Sequence, residues 1–126
     1  MKRIELHTDT IYSRELSFLS PFDLIRVYAK AGYDAIALTD RGSTAAFLEA
    51  EAEARRCNLR LIYGLTLDCV DSDDRYAITV LAKDQTGLEQ LFQLQVLEEK
   101  TRFPFGPCIT RGQLEKCRSH LLVGSC

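Results

Sequence analysis

Residues 3–7 (Arg-Ile-Glu-Leu-His) alternate polar with apolar and then give way to polar residues. That pattern predicts a first strand ending in the loop from His7 to Ser13. Ser20-Pro21-Phe22-Asp23 predicts a helix start: Ser20 suits the N-cap, Pro21 the first turn, and Asp23 a capping box and the positive end of the dipole. Leu24, Val27, Tyr28 and Ala31 follow at helical spacing until Gly32 stops the helix. Ala35-Ile-Ala-Leu-Thr39 is a continuous apolar run between Asp34 and Asp40, which fits a strand covered on both faces.

Arg41-Gly-Ser-Thr44 reads as a turn into a second helix with Ala46, Phe47, Ala50, Ala54 and Cys57 on one face. Glu49, Glu51, Glu53, Arg55 and Arg56 are expected mostly on its solvated side. Residues 59–67 predict a third strand, Asp71-Ser-Asp-Asp74 a polar turn, and residues 76–82 a fourth strand. Asp84-Gln-Thr-Gly opens a helix carrying Leu88, Leu91, Phe92 and Val96. A loop over residues 101–107 leads to a T-x-x-Q capping box, Thr110 to Gln113, and a short helix. The chain closes on the apolar run Leu121-Leu-Val123.

Strands alternating with helices in this order argue for a mostly parallel α/β sheet with right-handed crossovers. In such sheets and barrels, functional groups collect at the carboxyl ends of the strands. Here those ends carry His7 and Asp9, then Asp40 and Arg41, then Thr66, then Lys83.

Composition changes that picture little. The chain has 126 residues, 46% hydrophobic and 27% charged, enough apolar material for one domain with a real core. A formal net charge of −2 gives no reason to expect direct, charge-driven nucleic-acid binding or attachment to an anionic membrane. No apolar stretch approaches a membrane span, and the first residues lack the apolar region of a signal peptide. The five cysteines are odd in number and without a C-x-x-C spacing, so reduced, partly buried thiols of a cytoplasmic protein are expected.

The rim offers chemistry. His7 and Asp9 lie two residues apart, so in extended backbone both side chains point the same way and can hold one cation. Asp40 from the next strand can add an oxygen, or serve as an N-cap for the helix after it. Such a mixed nitrogen and oxygen set suits zinc, manganese or iron better than calcium.

Several segments resemble one family in order along nearly the whole chain. They are Glu5-Leu-His-Thr-Asp-Thr-Ile-Tyr-Ser13, Ser20-Pro21, Ala35-Ile-Ala-Leu-Thr-Asp-Arg-Gly42, Ile62-Tyr-Gly-Leu65, Leu81-Ala-Lys-Asp-Gln-Thr-Gly-Leu-Glu-Gln-Leu-Phe92, Gln113-Leu-Glu-Lys116 and Leu121-Leu-Val-Gly-Ser-Cys126. The family is the polymerase and histidinol phosphatase (PHP) family. The later segments are most similar to the PHP region of bacterial DNA polymerase III α subunits of the PolC type. The resemblance implies a distorted (β/α) barrel whose active members hold several metal ions at the carboxyl rim and hydrolyse phosphoesters. Such a barrel takes about 200 to 250 residues. Residues 1–126 are therefore expected to form a single PHP-like domain, an incomplete barrel matching the N-terminal half of a full one. An open last strand would then need cover from a second copy, another polypeptide or further chain.

The sequence departs from the family's ligand motifs. His-x-His is His7-Thr-Asp9, and Thr-Asp-His is Thr39-Asp-Arg41. The glutamate of Gly-x-Glu is Thr66, and the histidine before the fourth strand falls at Ala77. His120 matches no ligand motif and suits a turn or strand edge. By resemblance, His7, Asp9 and Asp40 are remnant metal ligands, sufficient for at most one weak zinc or manganese site. Arg41 carries no free lone pair and cannot be a ligand. Two roles stand open for it: holding an anion together with Ser43 near a helix start, or forming a structural ion pair with Asp9 or Asp40. Two functions follow. One is a non-catalytic module that contacts DNA polymerase subunits or self-associates; the other is a metal-dependent phosphoesterase.

Overall fold

The computed structural model describes residues 2–13, 17–101 and 106–125. Along the chain run β1 (Ile4–Glu5), α1 (Pro21–Lys30), β2 (Ala35–Leu38), α2 (Phe47–Arg56), β3 (Arg60–Asp71), β4 (Asp74–Ala82), α3 (Gln85–Lys100), β5 (Ile109–Thr110), α4 (Arg111–Lys116) and β6 (Leu121–Ser125). The sheet order is β1-β2-β3-β4-β6, with β5 pairing β3 off that path. The sheet curls into a half-barrel.

The parallel part is the one expected from the alternation of strands and helices. β1 pairs β2 and β2 pairs β3, both parallel, with Ile36 beside Glu5 and Leu61. All four residues of β2 are buried, as its unbroken apolar run requires. Two antiparallel pairings were not read from the sequence. β3 and β4 form a hairpin from Asp71↔Asp74 to Gly64↔Leu81, and β6 runs antiparallel to β4. A two-residue connection cannot reach the start of a parallel neighbour, so the turn at Ser72-Asp73 dictates that reversal. Ser72 takes φ 56° to make it.

Local signals set the helix ends. Ser20 Oγ accepts the Asp23 N–H at 3.1 Å, and Gly32 ends the run beyond α1 with φ 83°. Asp84 caps α3 by accepting the Gly87 N–H at 2.9 Å. Thr110 and Gln113 complete both bonds of the capping box on α4. Cys126 and residues 102–105 of the loop expected over 101–107 lie outside the described residues.

Helices α1, α2 and α3 pack with the sheet around a core that includes Ile25, Leu38, Leu65, Leu67, Leu91 and Leu94, all fully buried. A β carbon at Gly64 would stand 2.9 Å from Thr39 Cγ2 and 2.6 Å from Leu81 Cδ2, so only glycine lets β3 pass there. One expectation is corrected. Glu53 is buried, because Ala46, Ala50, Glu53, Ala54 and Cys57 share the stripe that α2 turns inward, and Arg26 and Arg56 meet its carboxylate. The two edge strands face each other across an apolar groove of about 490 Å³, with Leu6 and His7 at the β1 side and Leu122 and Val123 on β6. Cys57, Cys69, Cys108 and Cys117 are free thiols. No described helix is long and apolar enough to cross a membrane.

Candidate functional site

Period-two geometry sorts the residues after β1 into two sets. Thr8 and Thr10 turn inward and are buried; His7 is exposed and Asp9 only half-buried. Hydrogen bonds continue the pairing with β2 past the end of the strand. Thr39 N–H donates to Thr8 O (3.0 Å), Thr8 N–H to Thr39 Oγ1 (3.1 Å) and Thr8 Oγ1 to Ala37 O (2.5 Å). This zipper places His7 Nε2 3.5 Å from Asp9 Oδ2, with His7 Nδ1 3.1 Å from Thr39 Oγ1. Asp9 Oδ1 accepts from Ser13 Oγ at 2.9 Å.

Asp40 faces a different environment. It is 1% exposed and takes both of its bonds from Thr10: the N–H to Oδ1 at 2.5 Å and the hydroxyl to Oδ2 at 2.6 Å. Burial raises the pKa of its carboxyl above the ordinary 3.8, the Thr10 bonds work against that rise, and the charge of Asp9 adds to it. Asp40 does not cap α2, which begins at Phe47 with Ala46 at the N-cap and no side-chain cap.

Arg41 pairs neither with Asp9 nor with Asp40 in a salt bridge; its guanidinium bonds Asp68 on β3. Arg75 on β4 bonds the other oxygen of the same carboxylate at 2.6 Å and the Pro107 carbonyl at 3.1 Å. The Asp68 side chain is 13% exposed, so this Arg–Asp–Arg bridge is largely shielded. The amides after Arg41 are partly committed as well. Gly42 N–H donates to Thr66 O, Ser43 Oγ accepts from Ala45 N–H, and Thr44 Oγ1 donates to Gln95 Oε1. Thr66 Oγ1 donates to Thr39 O, and Thr66 N–H to Asp40 O, tying β3 to the end of β2.

The fold therefore brings His7 and Asp9 together, sets Asp40 behind them on Thr10, and turns Arg41 away to Asp68. Among the described residues, no three His, Cys, Asp or Glu side chains converge where a metal ion could be held. Asp68 and Arg75 were missed, although a signal existed. A hairpin closing at Asp71↔Asp74 sets Asp68 opposite Ala77, the position where the family carries a ligand histidine. Thr10 and Ser13 gave no signal, because their roles depend on the loop's path. His120 lies just before β6, with Nδ1 2.8 Å from Asp84 Oδ2 at the N-cap of α3.

A curled α/β half-barrel with its polar cluster at the carboxyl rim of parallel strands places the chain in the barrel-type α/β class. The family model described as PHP domain matches residues 5–126, and the chain belongs to the PHP family. Among curated relatives, the PolC-type DNA polymerase III of Oceanobacillus iheyensis is 36% identical over 70 residues, 56% of this chain and 5% of that polymerase. The error-prone DNA polymerase of Methylococcus capsulatus is 32% identical over 111 residues, 88% of this chain and 10% of that one. The chain thus spans only a small part of these relatives. Among solved structures, a protein described as a candidate metal-dependent phosphoesterase from Bifidobacterium adolescentis superposes with a TM-score of 0.60 at 20% identity, over 79% of this chain and 35% of that one. An amidohydrolase from Chromobacterium violaceum, solved with sulfate and no metal, gives a TM-score of 0.60 at 24% identity, over 73% of this chain and 33% of that one. These two likenesses establish the fold.

Proposed function

We propose that this chain acts as a non-catalytic PHP module, a structural or interaction unit whose metal site has decayed. The observation that carries this reading is the Arg41–Asp68 pair. A fixed cation stands at the position where the family's second motif has a ligand, and it pairs with the Asp68 carboxylate on β3. The donor set left does not fit a multi-metal centre. His7 and Asp9 offer one nitrogen and one carboxylate, while both oxygens of Asp40 already accept from Thr10. Residues 1–126 then form one domain equivalent to part of a full barrel. On this reading the module works in the cytoplasm with DNA polymerase components or a second copy, supported by its similarity to DNA polymerases, and the open groove between β1 and β6 is where such a partner would seat.

The second reading, a metal-dependent phosphoesterase, draws on the exposed His7–Asp9 pair, which could hold a single zinc or manganese ion. Purified chain is incubated with manganese or zinc, freed of excess metal, and assayed for bound metal and for p-nitrophenyl phosphate hydrolysis. The module reading expects neither stoichiometric metal nor turnover. Stoichiometric metal with turnover lost in His7→Ala overturns it.

A further inference from the structure

At the opposite end of the strands from this rim, α1 and α2 pack side by side and end together. Arg26 and Lys30 stand four residues apart and share one face of α1; Glu53, Arg56 and Cys57 share one face of α2. Between the helices is a pocket of about 250 Å³ lined by Arg26, Ala29, Lys30, Arg56 and Cys57. Among the described residues, no acidic side chain lines it. Glu53, 3% exposed, lies beneath the arginines and pairs with both.

Glu53 organises the pocket. Its Oε1 accepts from Arg26 Nε at 3.1 Å, Arg56 Nη2 at 2.5 Å and the Cys57 thiol at 3.5 Å, and its Oε2 accepts from Arg56 Nε at 3.1 Å. Arg26 Cζ also lies over the Phe22 ring, 3.8 Å from its centroid. Both guanidiniums are therefore held in place with N–H groups to spare, since each carries five and Glu53 engages one of Arg26 and two of Arg56. Lys30 joins no carboxylate among the described residues. Among the described residues, three cations set against one carboxylate leave an excess of two positive side-chain charges around a small cavity. The basic residues also complement the carboxyl ends of the two helices, but that role requires no cavity and no buried carboxylate shared by two side chains.

We propose that this pocket binds a tetrahedral oxyanion, a phosphate group being the class that two guanidinium forks and an ammonium recognise. The site is independent of the rim and of the module reading. It is tested by titrating the ¹⁵N-labelled chain with inorganic phosphate and with phenyl phosphate, each against sodium chloride of equal ionic strength, while following the backbone amides of Ala29 and Cys57 by NMR. Both amides are expected to shift saturably with phosphate and not with chloride. Lys30→Gln, an exposed change that leaves the fold intact, should weaken binding by roughly tenfold, and Arg26→Gln with Lys30→Gln should abolish it. Tighter binding of phenyl phosphate assigns the site to a phosphate ester, and tighter binding of the inorganic ion assigns it to free phosphate. Equal shifts in chloride, or unchanged affinity in both variants, overturn the proposal.

Discussion

Thr10 donates both its amide and its hydroxyl to Asp40, one to each carboxylate oxygen, at 2.5 and 2.6 Å. That relationship takes a residue of the Thr-Asp motif and spends it on anchoring the loop after β1. It also leaves a carboxylate buried with bonds to neutral donors only, a costly arrangement whose consequences are measurable.

The first concerns pH. The folded-state pKa of Asp40 is raised above its ordinary 3.8, chiefly by burial. The native state thus holds a proton that the unfolded chain has released, and stability falls as pH rises through that window. Below the unfolded value the cost is absent, and above the folded value it is complete. Urea unfolding from about pH 3 to about pH 7 should show this slope in the parent and its loss in Asp40→Asn. Parallel curves for the two proteins would contradict it.

Thr10→Val removes the hydroxyl and keeps the shape. Asp40 Oδ2 is then buried without its donor, at a cost of about 1–3 kcal/mol. Chemical denaturation of this variant should show a lower midpoint with an unchanged slope.

Asp68 on β3 joins Arg41, beyond the end of β2, to Arg75 on β4. Asp68→Ala leaves two guanidiniums side by side without their shared carboxylate and is expected to destabilise by about 1–3 kcal/mol. A double-mutant cycle with Arg41→Gln and Asp68→Asn should give a coupling energy of about 0.5–3 kcal/mol, and additive losses would show the pair to be incidental.

Glu53 behaves in the opposite sense to Asp40. The bonds from Arg56 first, then Arg26, outweigh burial and hold its pKa at about 2, against an ordinary 4.5. Its contribution is present above 4.5 and is lost as pH falls towards 2. Glu53→Gln should flatten the acid limb of the stability curve between those values, and an unaltered limb would count against the buried cluster.

Gly87 sits in the first turn of α3, where alanine would ordinarily help by up to about 1 kcal/mol. A β carbon there would stand 2.4 Å from the His120 carbonyl oxygen and 3.2 Å from Ala82. Backbone cannot give way cheaply, so overpacking of about 1–3 kcal/mol should win. Gly87→Ala is expected to lower the melting temperature, and a rise would show that the start of β6 moves freely against α3.

Much of the scaffold was legible in the residues alone, because its signals are local. The caps at Ser20, Asp84 and Thr110 act within a single turn, and the apolar run of β2 needs only its own length to read as a covered strand. The family motifs were legible too, and the match of residues 5–126 to the PHP domain agrees with the family they indicated. Contacts between distant segments were not legible. Arg41 reaching Asp68, Glu53 lying under Arg26, and Thr10 closing on Asp40 join residues separated by 27 to 30 positions. Side-chain type says that an arginine seeks a carboxylate; only the curl of the sheet and the packing of α1 on α2 decide which carboxylate lies within reach.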